Sequence, residues 1–178
     1  MQLEMLVAGF GGQGVLFAGK LAAYAAMRLD KQVSWLPSYG PEMRGGTANC
    51  SVCVDDEMIG CPIVNYPKYL LALNRPSFQK YIDKVAPGGV VIYDSSMIPD
   101  TTERTDITCI PIPAHQMAQE NGLQGLANII LIGRMLKENP YVSLETMQET
   151  LSEMLPPKKQ HLIAPNCKAL ELGYSYAG

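Results

Sequence analysis

The 178-residue chain is long enough for one domain with a real core, and 47% hydrophobic with 17% charged residues describes a globular, not a disordered, protein. A formal charge of −3 excludes a nucleic-acid binder that works by neutralising phosphates. No basic segment leads into an apolar signal region, and the most apolar helical stretch, Leu16 to Leu29, is broken by Lys20 and Arg28 and too short for a bilayer; a cytoplasmic protein with no membrane partner is expected.

Taken in chain order, Leu3 to Ala8 reads as a short apolar strand that turns at glycines into an alanine-rich helix, "GVLFAGKLAAYAAMRLDK", apolar nearly all round and so buried on most sides. "QVSWLPS" reads as a second strand ending at Pro37, followed by the glycine- and proline-rich "SYGPEMRGG" and a third strand from about Thr47 to Val54. "KYLLALN" is a fourth strand, Pro76 suits the first turn of a helix over Ser77 to Val85, and "VVIYD" reads as a central buried strand. A short strand in "ITCIPIP" precedes helical spacing at Ala114 to Asn121, Leu126 to Glu138, Ser143 to Leu155 and about Lys159 to Leu172. Asn74 and Ser143 are expected to cap the helices they precede. The pattern predicts an α/β chain: a Rossmann-like open sheet with flanking helices and a helical C-terminal part, in one domain over 1–178.

The cysteines at 50, 53, 61, 109 and 167 are odd in number and read as reduced thiols. Cys50 and Cys53 form a C-x-x-C, but in a strand residues three apart point to opposite faces, so the pair is not expected to share a metal or a disulfide. Neither a metal site nor an iron–sulfur cysteine pattern is expected in this chain. His115 is expected to be solvent-facing or locally bonded rather than catalytic, and His161 to lie on a solvated surface beside Lys158 and Lys159.

Gly9, Gly11 and Gly14 of "VAGFGGQGV" fit G-x-G-x-x-G between a strand and a helix, where a phosphate is the usual guest. A dinucleotide also needs an acid at the end of the second strand for the ribose hydroxyls. "VSWLPSYG" carries none, and Asp30 lies before that strand, at the wrong end of the sheet. A stand-alone NAD(P) or flavin oxidoreductase is therefore the lesser reading, beside a module that binds coenzyme A or a nucleotide alone. In "SYGPEMRGGTANCSV", Tyr39, Glu42, Met43 and Arg44 project from a loop shaped by Pro41 and three glycines. Arg44 is suited to a carboxylate or phosphate, but at this point a Glu42–Arg44 ion pair or a subunit contact is the favoured reading.

"GFGGQGV", "YGPEMRGGTANCSV", "LNRPSF" and "NCKALELGY" together resemble the gamma subunit of 2-oxoacid:ferredoxin (acceptor) oxidoreductases, over essentially the whole length. The resemblance implies a subunit of a complex that oxidatively decarboxylates a 2-oxoacid to its acyl-CoA, with 2-oxoglutarate the first candidate and pyruvate or branched-chain acids next. It implies thiamine diphosphate, magnesium and iron–sulfur clusters on alpha, beta and, in some complexes, delta partner chains, with ferredoxin reached through the complex. This chain would have no catalytic residue of its own. Its expected site is the two-loop edge of Gly9, Gly11, Gly12, Gln13 and Gly14 with Tyr39, Glu42, Arg44, Gly45 and Gly46, bordering coenzyme A and a partner subunit. An isolated chain is expected to be able to self-associate through its partner surface.

Overall fold

The computed structural model describes residues 2–38 and 47–177. Its elements run β1 (Leu3–Phe10), α1 (Val15–Met27), β2 (Gln32–Ser38), β3 (Thr47–Asp55), β4 (Tyr69–Ala72), α2 (Arg75–Tyr81), β5 (Val90–Asp94), β6 (Thr108–Ile112), α3 (Ala114–Glu120), α4 (Ala127–Glu138), α5 (Leu144–Met154) and α6 (Ile163–Ser175). A single turn of 3-10 helix occupies Ile82–Lys84, and two short 3-10 turns that meet at a kink at Lys159 occupy Pro157–Leu162. The last helix thus starts later than its spacing suggests: Pro156 and Pro157 open the tighter turn, and Pro165 falls in the first turn of α6, where its missing N–H costs no bond.

The six strands are ordered β2-β3-β1-β4-β5-β6. β1, β4, β5 and β6 are parallel, whereas β3 runs antiparallel to both β1 and β2. The α/β expectation holds, with one difference from a dinucleotide fold. There the second strand lies beside the first; here β3 is inserted between them, so the place from which a ribose acid would reach is taken by the start of β3.

Alternation along the strands sends two residue sets to opposite faces. Met5, Val7, Cys50, Val52, Leu71 and Ile92 pack with the helices α1, α4, α5 and α6. Leu6, Ala8, Leu70, Ala72 and Val91 pack with Phe78, Tyr81 and Ile82 of α2 and the turn after it. The small side chains of α1 bring it close to the sheet: a Cβ at Gly19 would overlap the sulfur of Cys50. Cys50 therefore faces α1, and Cys53, three residues on, is buried on the other face.

α4 carries the fully buried run Ile129 to Ile132 and lies between the sheet and α6, which explains an apolar stretch wider than one helix face. Both expected caps are present. Asn74 Oδ1 accepts the Ser77 N–H at 2.9 Å, and Ser143 Oγ accepts that of Thr146 at 3.0 Å.

Candidate functional site

At the carboxyl ends of the parallel strands, α1 leaves β1 toward one face of the sheet and α2 leaves β4 toward the other. β1 and β4 are neighbours, so the switch point of the topology lies between them, where open α/β sheets ordinarily leave a crevice for ligand. Here a side chain closes it. Gln13 folds back over the end of β1, its Oε1 accepting the Phe10 N–H at 2.7 Å and the Asn74 amide at 3.1 Å, while its Nε2 donates to the Leu73 carbonyl at 3.2 Å. Gly9 makes the room: a Cβ there would lie 2.9 Å from both Gln13 Oε1 and a Val15 methyl.

The turn itself needs glycine. Gly12 has φ 93° and Gly14 φ 71°, the left-handed region, and Gly14 sits at the N-cap of α1. A Cβ at Gly14 would also overlap the Asn128 amide, which donates to the Gly14 carbonyl at 3.1 Å. Gly14 has no side chain with which to cap α1, and among the described residues no side-chain hydrogen bond caps its first N–H groups. Gly11 and Gly12 are exposed at the lip, with open space where a Cβ would stand. Beside them is a 310 Å³ cavity lined by Phe10, Gly11, Gly12, Leu16, Phe17 and Ala48 among others. Phe10 is 39% exposed, a large apolar surface at the mouth of that cavity.

Tyr39, Glu42, Arg44, Gly45 and Gly46 lie outside the described residues. The strands that flank them end beside the glycine turn: Phe10 pairs with Thr47, and Ser38 with Asn49. Gly11 and Gly12 thus face outward at this edge, while Gly9 and the Gln13 side chain face inward.

Three groups near the edge give little sign of their role in the sequence. Asn128, 4% exposed, places its Oδ1 against the turn without a hydrogen-bond partner among the described residues; its one advance signal is an amide in the otherwise apolar run from Ala127 to Gly133. Ser77 Oγ, fully buried at the start of α2, likewise has no partner among the described residues. Asp94, fully buried at the end of β5, accepts from the Ser96 N–H at 3.1 Å and from His115 Nδ1. His115 is locally bonded, as expected, with its ring partly in solvent. His161 is exposed.

Thiol chemistry is not favoured at the buried cysteines. Burial pushes the Cys50 thiol up to about 12 and Cys53 up to about 11. Among the described residues no group of His, Cys, Asp and Glu is arranged to hold a metal ion. No helix among them is long and apolar enough to cross a membrane.

The pyruvate ferredoxin/flavodoxin oxidoreductase family pattern matches residues 4–176. The ketoisovalerate oxidoreductase subunit VorA of Methanothermobacter thermautotrophicus is 35% identical over 99% of this chain, which spans 36% of that protein. The chain therefore spans about a third of the length of the VorA relatives it matches. The 2-oxoglutarate synthase subunit KorC of Methanocaldococcus jannaschii is 34% identical over 99% of this chain and 95% of its own length. Among solved structures, a keto/oxoacid ferredoxin oxidoreductase gamma subunit from Geobacter sulfurreducens PCA superposes with a TM-score of 0.83 at 28% identity, over 97% of this chain and 96% of that one. The 2-oxoglutarate:ferredoxin oxidoreductase from Magnetococcus marinus, with 2-oxoglutarate, coenzyme A and succinyl-CoA bound, superposes with a TM-score of 0.85 at 25% identity, over 96% of this chain and 30% of that one.

Proposed function

The chain belongs to the pyruvate ferredoxin/flavodoxin oxidoreductase family, and on that premise we propose that it is the gamma subunit of a 2-oxoacid:ferredoxin oxidoreductase, bordering the coenzyme A site that it shares with a partner subunit. The reading takes the whole chain as one gamma-type domain of a cytoplasmic complex. Its observation is the outward lip of Gly11 and Gly12 at the glycine-capped start of α1, beside an apolar cavity and next to the strand ends that carry the 39–46 segment. Open amides and the positive end of the helix dipole suit a phosphate, and the apolar cavity suits the uncharged arm of the same ligand. Arg44 supplies a cation for a phosphate or for a partner carboxylate.

Coenzyme A, when bound, supplies the thiol that accepts the acyl group. This chain's part is to bind and orient it. In this reading thiamine diphosphate, magnesium and the iron–sulfur clusters are carried by alpha, beta or delta partners; for the clusters this is supported by cysteines that are dispersed here, the two most buried with thiols pushed up by burial. 2-Oxoglutarate is the first substrate, supported by the KorC relative that this chain matches nearly end to end.

A partner-facing role is supported by apolar side chains left in solvent on β2 and in the segment between β3 and β4: Leu36 at 41%, Ile63 at 55%, Tyr66 at 72% and Met58 at 90% exposure. Steady-state kinetics of the assembled complex test the site. Gly11→Asp puts a carboxylate into open space at the lip, and it is expected to raise the KM for coenzyme A several-fold with little change in kcat; Arg44→Ala is expected to do the same. Unchanged constants for both variants would remove this edge from coenzyme A binding.

A further inference from the structure

The group that fills the switch-point crevice has to answer two kinds of neighbour at once. The Phe10 N–H and the Asn74 amide are donors and need an acceptor; the Leu73 carbonyl is an acceptor and needs a donor. A phosphate or carboxylate would satisfy the two donors and set its remaining oxygen against the Leu73 carbonyl. A primary amide satisfies all three, and Gln13 supplies one from within the chain. A dinucleotide fold puts the ligand's own pyrophosphate at this point. In this chain the crevice is closed to anions by its hydrogen-bond pattern, and only the lip outside it is left for them.

The same amide links the two helices that diverge there. Gln13 stands one residue before the N-cap of α1, and Asn74, 2% exposed, is the N-cap of α2. One Asn74 oxygen caps Ser77 while its nitrogen meets Gln13. We propose that Gln13, acting through its bond to Asn74, is a positioning residue: it fixes the course of the Gly11–Gly12 lip and confines an anionic ligand to that lip. The proposal rests on the lip being the coenzyme A edge. Gln13 itself touches no ligand; it determines where the ligand can sit.

The test is Asn74→Asp in the assembled complex. The aspartate keeps the acceptor that caps α2 but turns its second oxygen toward Gln13 Oε1. The clash is relieved by a flip of the Gln13 amide, which takes the acceptor from the Phe10 N–H and the donor from Leu73. Hydrogen exchange of the segment spanning 9–15 is expected to quicken, and the KM for coenzyme A to rise about fivefold, the worth of one neutral hydrogen bond, with kcat within about twofold. A residue that only stabilised the fold would leave that KM unmoved and lower the melting temperature alone. Gly11→Asp, run in parallel, separates the two readings. If Gly11→Asp raises the KM and Asn74→Asp does not, whatever the exchange shows, the positioning role is overturned while the coenzyme A edge stands. If Gly11→Asp and Arg44→Ala both leave the KM unchanged, the coenzyme A edge fails and this proposal falls with it.

Discussion

Gly173 of α6 crosses α4 so closely that a Cβ added to it would run into the carbonyl of Ile130, and one added to Gly133 on α4 would run into the carbonyl of Leu170. Two helix backbones are in direct contact there, which small residues alone permit. Backbone cannot swing aside as a side chain can. Gly173→Ala is therefore expected to cost about 3 kcal/mol, at the upper end of ordinary overpacking, and Gly133→Ala a similar amount. Denaturant unfolding of the two variants checks this. Because both glycines serve the same crossing, their double variant should cost less than the sum of the two.

Asp94 and His115 give a prediction about a proton's position. The buried carboxylate accepts from His115 Nδ1, so whenever the ring is neutral its hydrogen lies on Nδ1 and Nε2 is the acceptor. Nitrogen NMR of the imidazole should show that tautomer in the wild type. Asp94→Asn should lose the preference and destabilise the chain by about 2 kcal/mol, since charge-assisted bonds to the Ser96 N–H and the ring are weakened together.

The buried thiols set the response to alkaline pH. Cys50 and Cys53 ionise near 9.0 when unfolded but are held up to about 12 and about 11 when folded, both chiefly by burial. Their contribution is fully present below the unfolded value. As pH rises past it, the unfolded chain loses protons that the folded chain keeps, and stability falls until the folded values are reached. Tyr141, fully buried and raised by burial, acts in the same direction. Urea midpoints should fall steadily above about pH 9, less steeply in Cys50→Ala. At neutral pH a thiol reagent should modify exposed Cys61 first and Cys50 last.

Much of this fold is legible in the sequence because its signals are local. The Asn74 and Ser143 caps, the glycine turn after a strand and the opposite facing of Cys50 and Cys53 each depend on a few neighbouring residues. The order of the strands does not. That β3 inserts antiparallel between β1 and β2 is set by pairings such as Val7 with Cys50, more than forty residues apart, on which periodicity is silent. The same holds at the site. The glycines of the turn are visible as a motif, but Gln13 reads there as a ligand contact, because nothing local shows that Leu73 and Asn74 stand ready to receive its side chain. Asn128, from a helix 114 positions away, meets Gly14 through tertiary packing alone.

The central claim is that this chain works as one subunit of a 2-oxoacid:ferredoxin oxidoreductase. Its most direct measurement is purification of the tagged protein from its own cells under anaerobic conditions, followed by assay of the eluate for 2-oxoacid- and coenzyme A-dependent dye reduction. The expected result is co-purification with thiamine diphosphate- and iron–sulfur-containing chains, in a complex most active with 2-oxoglutarate. A chain that elutes without such partners, or that reduces the dye alone with a bound dinucleotide, would contradict it.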